Sequence, residues 1–216
     1  MPPAKSKQGS ITGGRVMSAV RCNRILAMAV GDRVREAIDK LNQGDPVNAL
    51  IQVCIAIDAT SKKEFTGKLG KKQSHRYKAF LKKHQAFITR VSTGKLEIAG
   101  PILFTISGPG RPIKCRTLEE ILYNLIRCAL VHEGSLPNQV QITNENVMGV
   151  TSDGKVLISI NLIRALIMAV ACSDVNRDQR VPEGYSIGIE NTRIDLNNLW
   201  GRKDLVYRLT VEYNRP

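Results

Sequence analysis

This 216-residue chain carries no disulfide pattern, no clustered metal ligands and no apolar run long enough to cross a bilayer. Its five cysteines are Cys22, Cys54, Cys115, Cys128 and Cys172. The number is odd, no CxxC occurs, and Cys54, Cys128 and Cys172 sit in apolar runs. They read as small buried hydrophobes of a reducing compartment, so a cytoplasmic location is expected. The three histidines are His75, His84 and His132. None shares a ligand spacing with a cysteine, so neither a metal nor another cofactor is expected. Aromatic residues make up only 5%, which leaves the core to Leu, Ile, Val and Ala. No segment approaches the roughly 18 apolar residues of a transmembrane helix.

Acid is also scarce. Lys and Arg outnumber Asp and Glu 32 to 19, a net charge of +13. Such a surplus favours a polyanionic partner, nucleic acid or an anionic membrane surface. Residues 1–31 contain no acid at all. Residues 1–27 are expected to be a disordered basic arm; a transit peptide, or an extension upstream of a start near Met28, has the same composition.

The rest, 28–216, reads as a single α+β domain, mainly helical, with β-hairpins appended mostly toward the C-terminus (139–160 and 184–213). A helix is expected at Val16–Val30. Another is capped by Asp32 and stopped by Gly44. Asp45-Pro46 opens a third, which runs to Phe65 and is almost wholly apolar until Asp58. Ser74–Thr89 has the spacing of one helix. Leu96–Ile98 and Ile102–Ile106 look like strands, and SGPGRP like a loop. Val147–Thr151 and Lys155–Ile158 flank the hairpin signal Ser152-Asp153-Gly154. Strands are also expected at Val140–Thr143, Ser186–Ile189, Arg193–Leu196 and Val206–Val211. Asn161–Cys172 is a very apolar helix, and Val175–Pro182 a polar loop.

The most basic stretch, Lys62–Lys83, contains Lys62, Lys63, Lys71, Lys72, Arg76, Lys82 and Lys83. Either it is a solvated lysine face or it is a surface for phosphates.

Thr117–Gly134 is the best-specified helix. Thr117-Leu118-Glu119-Glu120 is a capping box, and Gly134 is the stop. At 100° per residue, Leu118, Ile121, Leu122, Leu125, Ile126 and Ala129 form one apolar face. Arg127 points away from that face, and Cys128 and Val131 also lie off it, as if a second side were packed. His132 follows Arg127 by five residues, about 140° around the helix. Arg-x(4–6)-His alone is weak, since about 0.7 matches are expected by chance in such a chain.

The longer string LEEILYNLIRCALVHEGSLPNQVQIT resembles the signature segment of the HEPN superfamily (higher eukaryotes and prokaryotes nucleotide-binding), whose motif is Arg-x(4–6)-His near the end of a helix. Ala56-Ile57-Asp58-Ala59 is similar to that family's acidic helix. The family often has a polar residue after the Arg, where this chain has Cys128. The resemblance implies a HEPN-like helical bundle core. It implies a metal-independent endoribonuclease, of toxin, antiphage or prophage kind, with Arg127, His132 and Asp58 as catalytic residues. RNA, a second copy of the chain and a protein antitoxin are the implied partners. It equally admits a non-catalytic module that binds RNA or nucleotide, or that dimerises. For Asp58, pairing with Lys62 one turn on is the alternative to orienting Arg127 or His132.

Overall fold

A computed structural model describes residues 29–94, 102–108, 111–189, 192–205 and 208. The expected arm, the strand at Leu96–Ile98, all of the helix at Val16–Val30 but its last two residues, and all of the strand at Val206–Val211 but Arg208 lie outside them.

The molecule is α+β. Helix α1 is Val30–Asn42 and α2 is Pro46–Glu64. The single turn α3 (Gly67–Gly70) leads to α4 (Gln73–Lys83) and α5 (Gln85–Thr93). Asp45 caps α2 as its sequence predicts, accepting from the Asn48 N–H at 3.1 Å with Pro46 in the first turn. Asp32 is not the cap of α1. The helix starts at Val30, and the orphan N–H of Gly31 donates to Gln179 Oε1 at 2.9 Å. A partner 148 residues away does the work of a local cap. The expected helix over Ser74–Thr89 is two helices, because the backbone leaves helical geometry at His84 (φ −98°, ψ 6°).

Strands β1 (Leu103–Gly108) and β2 (Arg111–Thr117) form an antiparallel hairpin in the middle of the chain. SGPGRP is therefore not a free loop: Gly108 pairs with Arg111, which puts both ends of the segment in strands. Strands β3 (Val140–Thr143), β4 (Gly149–Val150) and β5 (Val156–Ser159) make a small mixed sheet in the order β3-β5-β4. The turn at Ser152–Gly154 joins β4 and β5 as expected, whereas the parallel pairing of β3 with β5 has no local signal. Strands β6 (Ser186–Ile189) and β7 (Thr192–Asp195) form a last hairpin.

Between β5 and β6 runs α7, Ile160–Cys172, capped by the Ser159 hydroxyl, which accepts from the Leu162 N–H at 3.0 Å. All its residues from Leu162 to Cys172 are buried except Arg164. A helix apolar all round belongs in the centre, and α7 packs on α1, α2 and α5. With Leu50, Ile57, Phe80, Phe87, Ile88 and Ile121 it forms one contiguous core. The polar stretch after α7 contains the short 3₁₀ turn Asp174–Asn176.

Leu118–Glu120 is α-helical, Ile121–Arg127 widens into a π-helix, and Cys128–Glu133 is α-helical again. The three are called α6 here. Thr117 and Glu120 form the expected capping box, with Glu120 accepting from the Thr117 N–H at 3.1 Å. Gly134 closes the helix in the left-handed conformation (φ 71°), where a side chain would be strained.

Candidate functional site

The π-helical stretch decides where Arg127 goes. In an α-helix, residues three or four apart share a side; an i→i+5 turn aligns residues five apart instead. The Cys128 N–H bonds back to the Tyr123 carbonyl in this way. Leu122 and Arg127 therefore share the inward side, and both are buried. The sequence expectation that Arg127 points away from the apolar face assumed 100° per residue throughout, and the structure corrects it.

Inside, Arg127 meets Asp58 of α2. Its Nε and Nη2 donate to the same oxygen, Asp58 Oδ2, at 3.0 and 2.6 Å. The alternative partner, Lys62, makes no ion pair with Asp58 among the described residues. Asp58 Oδ1 is buried and without a hydrogen bond among them. The Tyr123 ring lies beneath the guanidinium, 5.6 Å from Cζ to the centroid. Lys78 Nζ stands equally far from that ring, and Tyr77 stacks against it at 5.2 Å and 60°. Burial works against the charge on Arg127, but the bonds to Asp58 and its negative charge outweigh this and raise the Arg127 pKa. Burial also pushes the neighbouring Cys54 thiol up to about 12 and the Tyr77 phenol well above its usual value. Both stay neutral, so the Arg127–Asp58 pair is the charged centre of the cluster, with Lys78 a further cation over the Tyr123 ring.

His132 is elsewhere. It is exposed in the last turn of α6, beside the exposed Val131, and bonds to nothing among the described residues. The five residues from Arg127 to His132 run through α-helix, so the divergence of about 140° stands. Within one chain, Arg127 and Asp58 are together and His132 is apart.

The basic residues differ in what they bond to. Lys62, Lys63, Lys71, Lys72, Lys82 and Lys83 are exposed, and Arg76 is half-buried. Lys63 donates to Asn176 Oδ1 at 3.4 Å, Arg76 to the Gly70 carbonyl at 3.3 Å, and Lys83 pairs with Glu64. Three of the seven are thus tied to neighbouring groups of the same chain. Tyr123, Tyr77, Cys54 and Lys78 escape sequence reasoning because helix spacing alone makes them core or solvated positions.

The family model of Rv1289 matches residues 29–215. The chain belongs to the Rv1289 family. No curated protein and no solved structure matches the chain significantly. In this Rv1289-family protein the only polar side chains joined across α2 and α6, among the described residues, are Asp58 and Arg127. Among those residues there is also no helix long and apolar enough to cross a membrane, and no group of metal-binding side chains.

Proposed function

We propose that this protein is a metal-independent endoribonuclease of HEPN type, acting in the cytoplasm as a homodimer. The observation that carries the reading is the Arg127–Asp58 pair, a buried guanidinium held rigid from one side on the same helix as His132. Two of the five guanidinium N–H donors go to Asp58, and the rest are left for phosphate oxygens. In RNA, the 2′-hydroxyl attacks the adjacent phosphorus once its proton is removed, and charge builds on the non-bridging oxygens. Histidine is suited to move that proton near neutral pH, and a preorganised arginine stabilises the charge. The 5′-oxygen leaves, and a 2′,3′-cyclic phosphate remains. Because Arg127 and His132 diverge on one helix, the active site joins Arg127 of one chain to His132 of its partner. An inhibitory protein of antitoxin kind would act by covering it.

The test is cleavage of single-stranded RNA in EDTA. Arg127→Ala and His132→Ala should each lower the rate at least about 100-fold. Mixing the two variants should restore roughly a quarter of wild-type activity, since half the dimers are mixed and each holds one intact site. No rescue on mixing defeats the two-chain site. A second reading, a non-catalytic module that binds RNA or nucleotide, is favoured by Cys128 standing where the HEPN motif often has a polar residue. RNA binding without cleavage would select it.

A further inference from the structure

On the outer side of α6 the chain has a cleft of about 450 Å³, lined by Cys115 and Arg116 of β2 and by Glu120 and Asn124 of α6. That volume is in the range of small-ligand sites. Arg116 is half-buried, yet among the described residues no carboxylate or carbonyl accepts from it. Asn124 is exposed, and its amide is likewise unbonded among them. Glu120 is held in place by the Thr117 N–H through Oε2, which leaves Oε1 to accept. A lone guanidinium, a free amide and a fixed carboxylate therefore converge on one opening. Asn124 precedes Arg127 by three residues on the same helix, and its neighbour Tyr123 carries the Arg127 guanidinium over its ring.

We propose that this cleft is a nucleotide subsite for single-stranded RNA: Arg116 holds a phosphate, while Asn124 and Glu120 read the edge of an unstacked base that bears an exocyclic amine. This rests on the RNA reading above. The fork of Arg116 matches a phosphate, and the Glu120 carboxylate repels one, so the phosphate lies on the β2 side. A carboxylate accepts from an exocyclic amine, and an amide side chain both donates and accepts. Uracil has no exocyclic amine and is the disfavoured base. Duplex RNA hides these edges in its base pairs and deep major groove and is excluded.

The experiment is fluorescence anisotropy with hexamers of rA, rC and rU over a salt series, on full-length protein. Wild type should bind rA and rC at least about 5-fold tighter than rU. Arg116→Gln should weaken all three equally, about 5-fold or more, and flatten the salt slope by about 0.7. Asn124→Ala and Glu120→Gln should erase the base preference instead; the latter keeps an acceptor for the Thr117 N–H, so the helix start survives. Unchanged binding and slope in Arg116→Gln overturn the subsite, even if cleavage still depends on Arg127 and His132. Loss of binding in Arg116→Gln where wild type does not cleave upholds the subsite and removes only the nuclease reading. Wild type that binds no hexamer overturns both.

Discussion

Helix α2 carries two carboxylates that pair with cations, Asp58 with Arg127 and Glu64 with Lys83. In the first pair the side chains are 16% and 7% exposed; in the second, Glu64 is 9% exposed but Lys83 is 43% exposed. The Asp58 pair is enclosed by Tyr123, Tyr77 and Cys54. The Glu64 pair opens to water on the lysine side and has a second tie, the Ser173 hydroxyl donating at 3.3 Å. Lys83 can swing away and remain solvated, whereas Arg127 cannot. The same chemistry thus gives a fixed guanidinium at one point of the helix and a replaceable tether six residues later.

Removing each carboxylate should expose that difference most strongly. Asp58→Ala leaves a buried cation unpaired and is expected to cost about 3 kcal/mol in urea unfolding. Glu64→Ala should cost about 1 kcal/mol. Equal losses would erase the distinction drawn between the two ends.

A pH series sharpens it next. His84 packs on Phe80 at 4.6 Å, beside Glu64, Lys83, Lys203 and Asp174. Its Nε2 is buried without a hydrogen bond among the described residues. Burial, with help from Lys83 and Lys203 and against Glu64 and Asp174, lowers its pKa from 6.5 to about 4. The folded state therefore keeps His84 neutral, while the unfolded chain takes up the proton below about pH 6.5. Stability is full above that pH and falls as pH drops toward 4, by up to about 3 kcal/mol. The comparison of wild type with His84→Phe at pH 4.5 and 7.5 isolates this contribution; identical pH slopes would sink it.

Smaller effects come last. A Glu64–Lys83 double-mutant cycle should give about 0.5 kcal/mol of coupling that shrinks in 1 M salt. Tyr123→Leu should cost about 1 kcal/mol through the lost stacking on Arg127 and Lys78. Salt should leave that loss unchanged where it follows from the buried Arg127, and its disappearance in salt would assign it to Lys78.

What the sequence reveals follows from how local each signal is. The cap at Asp45-Pro46, the stop at Gly134 and the turn before Lys155 are settled within a few residues, and they stand as expected. The break at His84, the start of α1 and the pairing of β3 with β5 depend on distant partners, and periodicity does not contain them. The site divides in the same way. Arg127, His132 and Asp58 could be named as candidates, because a motif-like string marks them. The inward turn of Arg127 could not, because a π-helical stretch shifts the helical phase by an amount that no 100° wheel includes. Arg116 and Asn124 carry no pattern at all; the junction where β2 runs into α6 makes a cleft of them.

The tie between Gly31 and Gln179 has a consequence in time. The first turn of α1 is closed by a side chain from far along the chain, and a Cβ at Gly31 would come within 2.6 Å of the Arg180 carbonyl oxygen. Helix ends ordinarily fray, and their amides exchange with deuterium quickly. The Gly31 amide is held instead by a contact that forms only when both halves of the chain have met. Its exchange should be as slow as that of the buried middle of α7, which makes one amide near the start of the fold a clock for the opening of the whole.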